Sequence, residues 1–343
     1  MEKTNIIENY KEKGVQLDKK QNKILENAKS NTELNCSIST NCSNCNINTE
    51  NSFNYLNNAI NINEDTKSLS EKDIKIKEDK KYNYLFNEEY LDEIYMNLIL
   101  DEKNAKIKIE KKYMKKQKNI NDKMRAILVD WIIEVHHHFH LKRKTLFQTI
   151  LIIDLYLSFE IIDKVNFQLL GLSSLLISIK ENENYSIKLE EFIKLTDNAY
   201  TKRELLIMEM NILKALKFEI LAPTSDEFYN ILSKTFNFNK IQHHLGEYFI
   251  DSSLLDYNML KYKASTIAIA CAYIVMKFYK LNGYKELYTF NIISWDSSQK
   301  IIKECAKDLC YLVKDLSKSL LKGTKDKYSS EEYDKVAFLC EDQ

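Results

Sequence analysis

The chain has 343 residues, with 50 Lys+Arg against 50 Asp+Glu, five glycines and one proline. A net charge of zero argues against a sequence-blind grip on nucleic-acid phosphates, and glycines scattered at Gly14, Gly171, Gly246, Gly283 and Gly323 exclude P-loops and dinucleotide folds, which need several in one turn. With 44% apolar residues and no regularly spaced turn residues, the composition predicts an all-α protein with a sizeable core.

Residues 1–80 are rich in Asn, Lys, Ser and Glu and hold no helical or strand period. Such a segment cannot bury enough surface to offset its chain entropy, so a disordered tail is expected. Cys36, Cys42 and Cys45 lack a fourth ligand at zinc spacing. Seven cysteines, an odd number in a chain this long, do not read as a disulfide framework. The opening Met-Glu-Lys-Thr-Asn has no apolar run of the signal-peptide kind, and the longest apolar run, Thr266 to Met276, is too short to span a bilayer. The expectation is a reducing intracellular compartment, no membrane partner and no nucleic-acid partner.

Order is expected from about Asn83. Leu85, Tyr90, Leu91, Ile94, Tyr95 and Leu98 make an apolar stripe at helical spacing, followed by a lysine-rich stretch, Lys111 to Lys118, that reads as a solvated connection. From Asn121, Met124, Ile127, Leu128, Trp131, Ile132, Val135 and Phe139 form one broad apolar helix face. Further helices are predicted at 143–158, 166–181, 187–196 and 201–217, the last opened by the capping box Thr201-x-x-Glu204. The 166–181 helix interleaves Gly171, Ser173, Ser174 and Ser178 with leucines, a composition that suits the centre of a helical bundle. Pro223, before a second capping box at Thr224-x-x-Glu227, marks a boundary. Beyond it helices are predicted at 225–236, 241–256, 262–280, 286–294 and 297–318, the third again rich in small residues. The domains expected are a tail at 1–80, an N-terminal helix and linker at 84–120, five-helix domains at 121–221 and 222–320, and a C-terminal tail at 321–343.

No catalytic constellation stands out. His136 and His140 are four apart, but position 137 is His where a zincin needs glutamate, so no metal is expected and the histidines read as a solvated helix end. No nucleophile motif appears, and neither a cofactor nor enzyme activity is expected.

The informative segment is Met-Arg-Ala-Ile-Leu-Val-Asp-Trp-Ile-Ile-Glu-Val-His, Met124 to His136. It resembles the cyclin box of the A- and B-type cyclins. Tyr-Met-Lys-Lys-Gln at 113–117, the run Leu-Thr-Asp-Asn-Ala-Tyr-Thr-Lys-Arg-Glu at 195–204, the helix at 208–218 and the B-like Leu-Leu-Asp-Tyr at 254–257 extend the resemblance over roughly residues 84 to 320. It implies an all-α fold of two tandem five-helix cyclin boxes behind an N-terminal helix. It also implies a regulatory subunit, in nucleus and cytoplasm, that activates a cyclin-dependent kinase and controls cell-cycle progression, with G2/M favoured. The alternative is a cyclin-fold scaffold or transcription factor that activates no kinase.

On the same resemblance, Lys180 and Glu209 face the kinase, with Ile177, Leu213, Phe218 and Ile220 supplying buried area and Tyr90 and Ile94 adding contacts. Met124, Ile127, Leu128 and Trp131 would form a partly open face for the leucine of R-x-L substrates or inhibitors. Phe167 and Gln168 form its other wall, Glu134 pairs with the peptide arginine, and Lys164 stands nearby. After Lys180 the chain reads Glu181-Asn182-Glu183-Asn184-Tyr185-Ser186, without the family's aromatic and paired prolines. The first arginine of the chain is Arg125, so residues 1–80 hold no R-x-x-L destruction box. Lys180-Glu181-Asn182 spells a K-E-N degron at the end of a packed helix.

Overall fold

The computed structural model describes residues 90–184, 187–287 and 295–340, with the backbone alone at 295–298. The expected tail, its three cysteines, the beginning of the first helix, Tyr185 and Ser186, and most of the helix expected at 286–294 lie outside the described residues. The described residues form α-helices and 3-10 turns and include no strand.

Helix α1 spans Leu91–Asn104. The first bundle holds α2 (Asp122–His138), α3 (Arg143–Phe159), α4 (Lys164–Asn182), α5 (Leu189–Lys194) and α6 (Lys202–Ala215). Asn121 starts α2, its side-chain carbonyl accepting from the Met124 N–H and satisfying a donor that every helix start leaves open. Helix α4 is central, and every residue from Leu169 to Ile179 is buried. A Cβ on Gly171 would lie 2.8 Å from Leu128 Cδ1 and 3.3 Å from Ile132 Cδ1. The small-residue stripe therefore brings α2 against α4 more closely than a larger side chain allows. The sequence predicts these five helices to within a turn.

The second bundle repeats the plan with α7 (Ser225–Thr235), α8 (Lys240–Leu255), α9 (Ala264–Phe278) and α10 (Trp295–Ser317). Every residue from Ser265 to Met276 in α9 is buried. Burying an Ile or Val side chain in this way stabilises by about 1.5–3 kcal/mol each. The Thr201/Glu204 and Thr224/Glu227 capping boxes form as expected, and Asn239/Gln242 adds a third at the start of α8.

Two stretches depart from expectation. The lysine-rich linker is packed: Tyr113 is buried and donates to Asp154 at 2.7 Å, while Gln117 Nε2 donates to the carbonyls of Leu157 and Glu160. Residues 321–340 are no free tail. They form α11 (Gly323–Tyr328) and 3-10 turns at Glu331–Tyr333 and Phe338–Cys340. The Asp130 carboxylate accepts from the N–H groups of Gly323 (2.8 Å) and Lys322 (3.2 Å), and Tyr328, Val336 and Ala337 are fully buried. The charged sequence conceals this because Lys327 is buried against Asp251 at 2.7 Å. Helix α1, first in the chain, packs on the second bundle: Tyr95 meets Phe228 edge-on at 5.4 Å, and Glu102 accepts from the Ser265 N–H and hydroxyl.

Candidate functional site

Lys180 closes α4 as a basic residue in its last turn, where the helix dipole favours it. Helix α6 turns Leu205, Met208 and Ile212 inward and thereby brings Glu209 to the surface facing α4. Lys180 Nζ meets Glu209 Oε1 at 2.5 Å, the lysine side chain 54% exposed and the glutamate 13%. An ion pair this open contributes about 0–1 kcal/mol to folding, so it adds little to stability and leaves a fixed, paired charge on an open face.

After α6, Lys217 and Phe218 adopt left-handed backbone angles, φ 52° and 62°, a conformation that disfavours residues with side chains. Phe218 then stands 66% exposed beside half-buried Leu213 and Ile220. Tyr90 is 48% exposed where α1 begins, and Ile94 is half-buried one turn on. Ile177 does not belong to this face. It repeats Leu170 two turns later on the inward stripe of α4 and is buried in the core.

The second expected face lies on α2 and is more closed than the resemblance implies. Leu128, Trp131 and Phe167 are all buried in the core, Leu128 because it packs onto Gly171. Half-buried Met124, Ile127, Glu134 and Gln168 form what remains open, with exposed Lys164 at the start of α4. Gly323 packs against Glu134: a Cβ there would approach Glu134 Cγ to 3.2 Å and the Asp130 carbonyl to 2.8 Å. The beginning of α11 thus borders this face.

The histidines are not all solvated. His136 is buried, and Nε2–H donates to the Lys142 carbonyl at 2.9 Å. Burial, with the nearby Lys327 charge, lowers its pKa to about 3. Among the described residues no group of three or more His, Cys, Asp or Glu is placed to hold a metal, and Cys271, Cys305, Cys310 and Cys340 are free thiols.

Two buried ionic clusters escaped the sequence reading. Arg125 forks onto Asp154, both bonds 2.7 Å, and its third nitrogen donates to the Leu254 carbonyl in the second bundle. Arg143 contacts Asp226 (2.7 Å), Glu247 (2.9 Å) and Asp251 (2.8 Å) and donates to the Tyr328 hydroxyl (2.8 Å), joining α3, α7, α8 and α11. Around this centre burial works against charge. It raises Asp226, while Arg143 outweighs it at Glu247, which falls to about 2, and at Asp251, which is also lowered. A signal for the first cluster was present. Arg125 shares a helical face with Leu128, Val129 and Ile132, and Asp154 stands alone inside an apolar run.

Two sequence families match: one described as the cyclin N-terminal domain over residues 93–221, the other as the cyclin C-terminal domain over residues 223–342. A G2/mitotic-specific cyclin-B of Spisula solidissima is 34% identical over 252 residues, 74% of this chain and 58% of that protein. One of Dictyostelium discoideum is 33% identical over 251 residues, 73% of this chain and 57% of that protein. The chain therefore spans a little over half the length of these relatives. A viral cyclin from herpesvirus saimiri superposes with a TM-score of 0.54 at 18% identity, over 63% of this chain and 97% of that one, which shows a shared fold.

Proposed function

The chain belongs to the cyclin family, and from that premise we propose that it is the regulatory subunit of a cyclin-dependent Ser/Thr kinase, acting around the onset of mitosis in nucleus and cytoplasm. Similarity to G2/mitotic-specific B cyclins supports the timing. The observation that carries the reading is the Lys180–Glu209 pair, held at 2.5 Å on an open face between Leu213, Phe218 and Ile220. Charged groups already paired can bond a partner's backbone without an unpaired charge being buried. On this reading the face holds the kinase C-helix inward, which sets its glutamate against the ATP-binding lysine and biases the activation loop. The chain itself performs no catalysis. In the double variant Lys180→Ala/Glu209→Ala, helicity should stay and kinase stimulation should fall at least about tenfold, the usual scale for a hot spot. Unchanged stimulation by a folded variant contradicts the assignment.

A second face is proposed to dock R-x-L substrates or inhibitors. Half-exposed Met124, Ile127 and Gln168 offer apolar and amide contacts over a floor of Leu128, Trp131 and Phe167, and Glu134 offers a carboxylate for the arginine.

A further inference from the structure

We propose that α6 carries an apolar ridge that extends the kinase-binding face toward the start of the helix and requires an apolar, acid-edged surface on the kinase. The proposal rests on the kinase-binding reading above. Leu206, Ile207 and Met210 are large apolar residues left 39%, 49% and 47% exposed. With Lys202 and Arg203 they line a shallow open depression of about 500 Å³. A contiguous exposed apolar patch on a soluble helix marks a contact site.

Continuity identifies the occupant. Leu206, Met210 and Leu213 recur at i, i+4 and i+7, one line along the helix, with Glu209 beside it. Leu206 to Leu213 spans only about 10 Å of helix. A standard interface covers about 800 Å² on each partner, a disc roughly 30 Å across. A kinase centred on Lys180–Glu209 therefore covers the whole line.

Charge identifies the partner's edge. Glu204 is committed to the Thr201 N–H at its own helix start, and Glu209 to Lys180. Arg203, Lys214 and Lys217 are exposed and form no ion pair among the described residues. The ridge is thus rimmed by uncommitted positive charge, and a partner with carboxylates at the matching edge would both steer onto it and fix its register.

The test uses the full chain and a purified mitotic cyclin-dependent kinase, with affinity measured by calorimetry and association by surface plasmon resonance. Ile207→Asp/Met210→Asp should raise Kd about tenfold or more while helicity and Tm of the free chain hold. Arg203→Glu/Lys214→Glu should slow association, more at low salt than at high. If wild type binds, Lys180→Ala/Glu209→Ala binds weakly and the ridge variant binds like wild type, the ridge proposal fails while the kinase reading survives. If wild type does not bind, both fail. A wild-type dimer that becomes monomeric on Met210→Asp, with kinase affinity unchanged, would assign the ridge to a second copy and overturn the proposal. So would a rise in wild-type affinity on deleting residues 1–89 that the ridge variant does not share.

Discussion

Arg125 and Asp154 hold opposite charges where almost no water reaches, their side chains 1% and 2% exposed. Such a pair is costly to assemble and costlier to break, because removing one partner strands the other. Asp154→Ala should cost about 3–5 kcal/mol, read from urea unfolding with the slope unchanged. A loss below about 1 kcal/mol would mean that water relieves the arginine. His136 makes a second residue-level prediction. Its pKa is about 3 in the folded chain against an ordinary 6.5, so between those values the unfolded chain binds a proton that the folded chain refuses. Stability is then full above about pH 6.5 and declines as pH falls toward 3. Glu247, lowered from 4.5 to about 2, adds a loss in the same direction over that lower window. The unfolding midpoint should drop from about pH 7 to about pH 4, and His136→Gln, whose amide can still donate to Lys142, should flatten the upper part of that fall. Parallel curves for variant and wild type would exclude His136 as the titrating group. At this scale the sequence is least legible. An arginine or histidine inside a helical pattern is marked as buried only by its phase relative to the apolar stripe, which for Arg125 could be read and for His136 was obscured by three neighbouring histidines.

Helices were legible where local chemistry decides them. Thr201 with Glu204 and Thr224 with Glu227 start α6 and α7 at the residues their spacing indicates. The small residues of α4 and α9 identify both central helices. Helix α11 was not legible because it is six residues long and held by polar contacts with distant elements. Tyr328 donates to Asp251 at 2.9 Å, Lys327 to the same carboxylate at 2.7 Å, and Asp130 fixes the helix start. Deleting residues 321–343 should therefore destabilise the whole chain by about 3–5 kcal/mol or more, since Asp251 loses its lysine and stays buried. Differential scanning calorimetry would show one lowered transition; an unchanged Tm would return the segment to the status of a tail. For the site, Lys180 and Glu209 were legible by resemblance alone, since their partnership crosses 29 residues. Ile177 was misassigned because helical phase, read alone, does not say which side of a central helix faces solvent.

At the scale of the molecule, two working faces share the first bundle, and they should separate under mutation. Met124→Ala/Glu134→Gln changes half-buried side chains on α2 and leaves the buried floor intact. It should reduce phosphorylation of R-x-L substrates several-fold, an effect of about 1–2 kcal/mol, while short peptides without the motif are phosphorylated as before. Equal losses on both substrate classes would point to the kinase-binding face or to the fold. Trp131 is unsuitable for this experiment, because truncating a buried tryptophan costs about 3–5 kcal/mol of stability.

The Arg143 cluster also has a consequence in time. Its partner Tyr328 lies 185 residues farther along the chain. At about 5–20 residues per second, synthesis reaches that residue roughly 10–40 s after Arg143. During that interval the nascent first half holds a guanidinium meant for burial and a groove on α2 not yet covered by α11. It is then a client for a holding chaperone, and kinase engagement awaits release of the finished polypeptide from the ribosome.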